Sequence, residues 1–307
     1  MKRIIRIGTR KSRLAIIQTD KVVDMLRNAA PDVDFEKVLI TTAGDREKEK
    51  PLEQIGERGL FTKEIERALL EDKIDAAVHS LKDLESTLPE GLIIGAVPER
   101  IEVRDVLISK SFNDIDELPE NAKILTGSLR RKAQLSDISK DYVFDNIRGN
   151  IETRLKKFKA SDADAMIMAG AGLIRMGFTS EIRSYIPVDM MIPSAGQGAI
   201  GIEVRTDDKN TKALMAKIND EIIYNITAGE RAFLRELHGG CLIPVACNGC
   251  IINGRLELTG YLADLECEKS VSEKISGNFE NSEILGKELA ARVLAAGGRD
   301  ILKDMQV

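Results

Sequence analysis

The chain has 307 residues, of which 43% are hydrophobic and 31% charged, and this composition indicates a globular protein of two or three domains. Its net charge of -5 excludes a general affinity for nucleic acid. No run of about 18 apolar residues occurs, so we expect no membrane-spanning helix.

The amino-terminal stretch and the cysteines indicate a cytoplasmic protein. Arg6 interrupts the apolar run that begins at Ile4, which argues against a signal peptide. The 4 cysteines are too few for a disulfide scaffold in a chain of this length. We therefore expect a reducing compartment.

Strands and helices alternate in the first part of the chain, which predicts a parallel sheet covered by helices. The predicted elements are, in chain order, a strand over 4–7, a helix over 14–26, a strand over 35–41, a mobile polar loop over 42–59, a helix over 60–70 and a buried strand over 75–80. Ligands bind beyond the carboxyl ends of the strands in such sheets. Arg10, Lys11, Ser12, Lys82 and Asp83 fall at such ends.

The second part of the chain repeats this plan. In order, we predict a strand over 123–126, a helix opened by 127–132, a strand over 142–147, a helix after 148–150, a buried strand over 164–169 and a short helix from 170 to about 175. Residues 194–203 return to the first part, and the two crossings are expected near 97–106 and 187–194. By analogy of fold, we expect an α/β protein with two lobes that resemble type II periplasmic binding proteins around a cleft.

Basic residues gather at the strand ends, loops and first helical turns of both parts. Backbone N–H groups and the positive ends of helices collect at the same places, so each position is a potential anion site. In an acidic protein, this pattern predicts a ligand with many carboxylates or phosphates. No Walker A or G-x-G-x-x-G sequence occurs, so a nucleotide is not favoured. The basic residues are Arg10, Lys11, Arg13, Arg58, Lys82, Arg130, Arg131, Arg148, Arg154 and Arg175.

From residue 218 onward the pattern predicts a small α+β domain with a three-stranded sheet. Thr227 and Glu230 have capping-box spacing, and Gly239 and Gly240 end the predicted helix. Cys241 follows on a loop, either as a presented thiol or as a small residue that fills a gap. The remaining elements are strands over 244–252, 255–262 and 269–275, a turn at 253–254 and a helix over 282–296 closed by glycines.

Cys247 and Cys250 have the spacing of a zinc site. Both fall within a predicted strand, where an odd spacing places side chains on opposite faces. We therefore expect no bound metal.

Several segments, taken together, resemble the porphobilinogen deaminase (hydroxymethylbilane synthase) family from one end of the chain to the other. They are Gly8–Ser12 (GTRKS), Gly59–Glu64 (GLFTKE), His79–Asp83 (HSLKD), Ser128–Arg131 (SLRR), Arg148–Asn150 (RGN), Gly196–Gly198 (GQG) and Gly239–Cys241 (GGC). The resemblance implies an enzyme of tetrapyrrole biosynthesis that joins four porphobilinogen molecules into hydroxymethylbilane and releases ammonia. It also implies a dipyrromethane cofactor, held by a thioether to Cys241.

The resemblance assigns a role to most of the strand-end residues. Asp83 matches the catalytic aspartate, whose charge would stabilise the azafulvene-type cation left when ammonia departs. The residues implied to hold the cofactor are Cys241, Arg130, Arg131, Lys82, Ser128 and Asp83. The residues implied to bind substrate are Arg10, Ser12, Gln18, Arg148, Arg154, Arg175, Gln197 and Gly198, and those of the mobile loop are Arg58 and Phe61.

The resemblance also implies three domains, covering 1–98 with 195–217, 99–194, and 218–307. Gln54, Gly127 and Glu85 depart from the residues usual in the family, but neither Asp83 nor Cys241 is affected. We expect porphobilinogen as the small-molecule partner, a monomer, and no contact with nucleic acid or membrane.

Two other functions fit parts of the sequence. A non-catalytic two-lobed receptor for polycarboxylates or oxyanions explains the arginines, but it leaves the Cys241 loop and the third domain without a purpose. A thiol enzyme without a cofactor is the other alternative.

Overall fold

The computed structural model describes residues 3–46, 62–237 and 243–305. The chain forms two compact units. The first unit comprises the chain up to Ile101 together with Gly198–Tyr224. The second unit comprises Glu102–Gln197 together with the chain from Asn225 onward.

The strands and helices alternate as the sequence predicts. The strands are β1 (Arg3–Arg10), β2 (Val33–Ile40), β3 (Ala76–Ser80), β4 (Leu92–Arg100), β5 (Asp105–Ser109), β6 (Lys123–Leu125), β7 (Val143–Asp145), β8 (Ala165–Ala169), β9 (Ser184–Tyr185), β10 (Ala199–Arg205), β11 (Val245–Ile252), β12 (Arg255–Ala263) and β13 (Ser270–Gly277). The helices are α1 (Arg13–Ala29), α2 (Ala43–Arg46), α3 (Lys63–Leu70), α4 (Leu129–Ile138), α5 (Ile151–Ala160), α6 (Gly170–Met176), α7 (Lys209–Ala216), α8 (Glu221–Glu236), α9 (Ser282–Val293) and α10 (Arg299–Asp304).

The first unit is built on a five-stranded sheet with the order β2-β1-β3-β10-β4. β1 is parallel to β2 and β3, whereas β10 lies antiparallel between β3 and β4. Both faces of β3 are buried, because Val78 packs in the core beside α1 and Ala77 packs against Ile65 and Leu69 of α3. A strand covered on both faces reads as a continuous apolar run, which is why the sequence predicts it well.

The sheet of the second unit repeats this arrangement with the order β7-β6-β8-β5-β9. β6 is parallel to β7 and β8, and β5 lies antiparallel between β8 and β9. The predicted repeat of one α/β design is therefore confirmed.

The carboxy-terminal part is a three-stranded antiparallel sheet, β11-β12-β13, covered by helices. Asn253 and Gly254 both have positive φ, 50° and 74°, as the predicted hairpin turn requires. Gly286 lets α9 approach α8 closely, because a Cβ at this position would lie 2.2 Å from the Gly229 carbonyl oxygen. The predicted fold class, an α/β pair of lobes with a small α+β domain, is confirmed.

The crossing near 97–106 is shorter than predicted. β4 continues to Arg100 and β5 begins at Asp105, so only four residues connect the strands. Glu99 lies near the end of β4, and Arg104 directly precedes β5. These charged residues make the strand ends difficult to recognise in the sequence pattern.

The prediction that α8 begins at Thr227 is wrong. The helix begins at Glu221, because the Asp220 side chain accepts a hydrogen bond from the Ile223 backbone N–H at 3.0 Å and so caps it. Glu230 lies in the middle of the helix and is fully buried. Its two oxygens accept hydrogen bonds from the Gly196 and Gly249 backbone N–H groups, each at 2.7 Å.

The helix that begins at Ser282 does not end at the glycines. It passes through a π-helical turn over Leu294–Gly298 and continues as α10, because Gly297 takes a φ of 120° that kinks the chain without ending it. The described residues include no helix with the length and apolar character needed to cross a membrane.

Candidate functional site

A small pocket, open to solvent, lies at the carboxyl ends of β1 and β3 in the first unit. The pocket is lined by Arg10, Ser12, Leu14, Ala15, Gln18, Thr62, Val78, His79, Ser80 and Asp83. The structure therefore brings together Arg10, Ser12, Gln18 and Asp83, which the sequence assigns to the site.

The start of α1 forms one wall of this pocket. The Ser12 hydroxyl oxygen caps the helix by accepting a hydrogen bond from the Ala15 backbone N–H at 3.3 Å. Arg10, the last residue of β1, stands beside this positive helix end. The wall suits a carboxylate or another anion.

Gln18 and Ser80 form a polar wall of the pocket. The Gln18 amide nitrogen donates to the Ser80 hydroxyl oxygen at 3.0 Å, and the hydroxyl lies 3.1 Å from the amide oxygen as well. Gln18 is only 2% exposed, so this pair is held in place by the surrounding core.

Asp83 ends the short 3₁₀ helix Leu81–Asp83 that follows β3, and its side chain is exposed at the pocket. The N-cap position of that helix belongs to Ser80. Helix capping, the structural alternative for Asp83, is thus not its role in this turn. Lys82, in the same turn, does not line the pocket.

The second unit holds a different arrangement at its strand ends, a buried ion cluster of Asp105, Arg130 and Arg131. Arg130 Nη2 donates to Asp105 Oδ2 at 2.7 Å, and Arg131 Nη2 donates to Asp105 Oδ1 at 2.8 Å. The arginines are 6% and 7% exposed, and the aspartate is fully buried. Backbone oxygens of Ile192 and Ile167 accept further bonds from the two guanidinium groups.

Burial alone would raise the pKa of Asp105, but the two guanidinium groups outweigh it and hold the pKa well below its ordinary value of 3.8. With the aspartate ionised and both arginines charged, the cluster carries one net positive charge. It can therefore attract an anion while its internal pairs hold the guanidinium planes in place.

Gln197 joins the same cluster from the loop before β10. Its side-chain amide donates to the Val103 carbonyl oxygen at 2.7 Å and to Asp105 at 3.0 Å, and the residue is fully buried. Gly198 follows with a φ of 84°, and its carbonyl oxygen accepts the Ile101 N–H. In this structure Gln197 supports the arginines rather than lining the pocket.

The other predicted binding residues of the second unit lie at the starts and ends of helices. Ser128 caps α4, with its hydroxyl accepting the Arg131 N–H at 3.4 Å. Arg154 Nε donates to the Gly149 carbonyl oxygen at 2.8 Å, and Arg148 offers its own carbonyl oxygen to a lysine. Both arginines are half-buried, as is Arg175 in the last turn of α6.

Cys241, Arg58, Phe61 and Gln54 lie outside the described residues. Among the other cysteines, Cys247 is buried and Cys250 is exposed, so the two lie on opposite faces of β11 as predicted. In the described ranges, no three Cys, His, Asp or Glu side chains are grouped to hold a metal ion.

Sequence reasoning missed Asp105. A signal was present, since a lone aspartate opens the apolar run of β5, and a charge at the head of a buried strand needs a partner. The buried pair of His79 and Glu203 was also missed. Their imidazole Nε2 and carboxylate Oε2 lie 3.2 Å apart.

Comparison with known proteins gives a consistent result over nearly the whole chain. Residues 5–213 match the family model of the porphobilinogen deaminase dipyrromethane cofactor-binding domain, and residues 224–295 match that of the porphobilinogen deaminase C-terminal domain. The porphobilinogen deaminase of Pelotomaculum thermopropionicum is 46% identical over 303 residues, which cover 99% of this chain and 97% of the relative. The porphobilinogen deaminase of Brevibacillus brevis is 41% identical, and the match covers 98% of this chain and 97% of the relative. That of Chlorobium phaeobacteroides is 42% identical, and the match covers 100% of this chain and 99% of the relative.

Solved structures with a similar fold include binding proteins of low sequence identity. A nutrient-binding protein from Burkholderia cenocepacia, bound to methionine, has a TM-score of 0.43 at 13% identity and covers 70% of this chain and 90% of its own. A periplasmic substrate-binding protein of an ABC transporter from Coxiella burnetii has a TM-score of 0.45 at 13% identity and covers 74% and 96%.

The chain belongs to the porphobilinogen deaminase family. The resemblance inferred from its sequence segments is confirmed, and so is its assignment as an enzyme of tetrapyrrole biosynthesis. The expected dipyrromethane cofactor is confirmed by the match to the cofactor-binding domain.

Proposed function

We propose that the chain joins four porphobilinogen molecules head to tail into hydroxymethylbilane, with release of ammonia at each condensation, on a dipyrromethane primer bound to Cys241. The observation that carries this function is the pair of family matches, over 5–213 and 224–295, which include the cofactor-binding domain. A non-catalytic receptor for polycarboxylates is not favoured, because it would need no cofactor-binding domain.

The donor set of the first-unit pocket fits a dipyrromethane or a pyrrole substrate. Such molecules carry acetate and propionate groups, which need donors, and pyrrole N–H groups, which need an acceptor. Arg10, Ser12 and Gln18 supply donors in the pocket, and Asp83 supplies an anionic acceptor. When bound, the cofactor supplies the free pyrrole carbon from which the chain grows.

The arginines bind carboxylates at different places in the two units. Arg10 acts in the pocket of the first unit, and Arg148, Arg154 and Arg175 act from half-buried positions in the second. Arg130 and the adjacent Arg131 hold cofactor carboxylates through the net positive charge of their cluster with Asp105. We also assign Ser128 and Lys82 to cofactor binding, and Gln197 and Gly198 to substrate binding.

Asp83 supplies the charge that the chemical step needs. The reacting carbon becomes positive as ammonia leaves, and a carboxylate fixed beside it stabilises that charge. Asp83 holds the pyrrole N–H groups at its carboxylate oxygens while the next ring attacks.

We place the enzyme in the cytoplasm as a monomer that contacts neither nucleic acid nor membrane. Its domains would cover 1–98 with 195–217, 99–194 and 218–307. Size-exclusion chromatography with light scattering tests the oligomeric state, and a mass near that of a dimer would contradict it.

An intact mass spectrum combined with a turnover assay tests the function. The purified protein should carry a covalent dipyrromethane adduct and convert porphobilinogen to hydroxymethylbilane with one ammonia per condensation. A receptor would bind porphobilinogen without consuming it, and a thiol enzyme without a cofactor would show the bare polypeptide mass.

The attachment residue is tested by Cys241→Ser, which should give the bare polypeptide mass and no product. Cys250→Ser is the matched control, because Cys250 is the exposed cysteine of β11 and should leave both adduct and turnover unchanged. An adduct that survives in Cys241→Ser would assign the thioether to another cysteine.

A further inference from the structure

Three titratable side chains form a buried cluster beside the first-unit pocket. They are Glu66 of α3, His79 of β3 and Glu203 of β10, and they are 6%, 6% and 0% exposed. His79 Nε2 lies 3.2 Å from Glu203 Oε2. Nothing in the proposed chemistry so far uses this cluster.

The sheet register explains why these residues meet. His79 pairs with Gly201 and Ala77 pairs with Glu203 across the antiparallel β3 and β10 strands. His79 and Glu203 are therefore diagonal neighbours on one face of the sheet. The same face is covered by α3, since Ala77 packs with Ile65, and this helix contributes Glu66.

The cluster has more hydrogen-bonding capacity than its described neighbours satisfy. The buried atoms without a hydrogen bond of good geometry are Oε1 of Glu66, Nε2 of His79 and both carboxylate oxygens of Glu203. Buried polar atoms without hydrogen bonds are rare in native proteins, so this cluster needs a functional explanation.

The surroundings of Glu66 favour the protonated form. Burial raises the pKa of Glu66 above its ordinary value, and the charges of Glu203 and Glu85 raise it further, against the opposing effects of the Thr62 hydroxyl and His79. The charged groups that share the pocket with His79 are Arg10 and Asp83.

The cluster is accessible from the pocket through His79, which lines it together with Thr62, Ser80 and Asp83. His79 therefore lies between the Glu203 carboxylate, 3.2 Å from its Nε2, and the ligand pocket, an arrangement that suits a proton-exchanging group. The ring nitrogen that does not face Glu203 is Nδ1.

We propose that His79, which lies beside Glu203, is the proton-exchanging catalytic residue of the condensation, an inference that rests on the proposed function. As the C–N bond of the protonated aminomethyl group breaks, its electron pair leaves with ammonia. The new C–C bond forms at the free carbon of the attacking pyrrole, whose C–H bond then breaks and returns its electron pair to the ring. His79 Nδ1 takes that proton and passes it to ammonia, which leaves as ammonium.

Removal of the imidazole should therefore slow turnover without loosening substrate binding. In His79→Gln we expect kcat to fall by about 10²-fold, the lower end of the usual contribution of general acid–base catalysis, with KM within about threefold.

Glu203→Gln tests whether Glu203 supports the catalytic role of His79. If His79→Gln does not accumulate as folded protein, the result for Glu203→Gln decides whether the proposal stands. It should lower kcat by at least about tenfold with KM within about threefold of the wild-type value. Glu99→Gln is the matched control, because Glu99 is an ion-paired residue of the neighbouring β4 and does not line the pocket. It should keep the wild-type kcat and KM.

Each variant is first checked by intact mass for its adduct and by circular dichroism for its fold. Folded, cofactor-bearing variants of His79 and Glu203 with kcat within threefold of the wild type would overturn the proposal. The proposal would also be overturned if the loss of activity in each variant were fully explained by loss of the cofactor adduct or loss of folded protein. A wild-type protein without adduct or product would instead count against the proposed function itself.

Discussion

The two five-stranded sheets share one strand order but use their strand-end charges differently. In the first unit, Arg10 and Asp83 line a pocket open to solvent. In the second, Arg130 and Arg131 are buried against Asp105. The difference shows that topology decides where charged groups gather, whereas local pairing decides which of them are held and which stay open to a ligand.

The largest expected effect comes from breaking the buried cluster with Asp105→Asn. Removal of one partner leaves two buried guanidinium groups without a counter-charge, which should cost about 3–5 kcal/mol in the free energy of unfolding. Denaturant titration measures this loss. Asp162→Asn is the control, because Asp162 is an exposed partner of Lys123 and should cost no more than about 1 kcal/mol.

The same cluster predicts a pH dependence of stability. The pKa of Asp105 is lower in the folded than in the unfolded chain, so its stabilisation is complete above the ordinary value of 3.8 and is lost as pH falls below it. In Asp105→Asn this part of the acid-side loss should be absent. Equal slopes of unfolding free energy against pH for both proteins would contradict the assignment.

The next effect concerns the open pocket of the first unit. Asp83→Asn should fold and carry cofactor, but turnover should fall by about 10²-fold or more, because asparagine lacks the charge. Asp83→Glu should retain more activity, since the anion survives one methylene away. Steady-state kinetics on protein of verified adduct mass gives the ranking, and higher turnover in the asparagine variant would refute the electrostatic role.

A smaller effect separates binding from stability within the second unit. Arg148 is half-buried, so Arg148→Leu should weaken cofactor assembly or chain extension by at least about tenfold while leaving the free energy of unfolding nearly unchanged. Arg130→Leu should lower both, because Arg130 is part of the buried cluster. Normal cofactor assembly and normal turnover in both variants would contradict the assignment of these arginines to carboxylate binding.

The smallest effect compares two helix caps. Ser12 caps α1 and Ser128 caps α4. Either alanine variant should cost about 1 kcal/mol of stability. Ser12→Ala should also raise KM, since Ser12 lines the pocket, and an unchanged KM would confine Ser12 to its structural role.

Local patterns account for most of what the sequence predicts correctly. The hairpin at Asn253–Gly254 follows from residues that favour positive φ, and β3 follows from its continuous apolar run. Glycine and aspartate motifs at strand ends located the pocket, because a parallel sheet gathers its carboxyl ends at one edge.

Non-local pairing accounts for what the sequence could not give. Asp105 meets Arg130 and Arg131 across 25 and 26 positions of the chain, and no spacing rule links them. Glu230 has the spacing of a capping box, yet tertiary contacts with Gly196 and Gly249 place it in the middle of a helix.

β10 lies between β3 and β4 in the sheet but is synthesised long after both of them. The sheet of the first unit can therefore be completed only late in translation. The first unit has no complete sheet until Arg205 has left the exit tunnel, because β4 is joined to the other strands only through β10. The roughly 100 residues after β4 take about 5–20 s to synthesise at about 5–20 residues per second. During that interval the edge of β3 that later pairs with β10 has no partner strand, which leaves it open to aggregation.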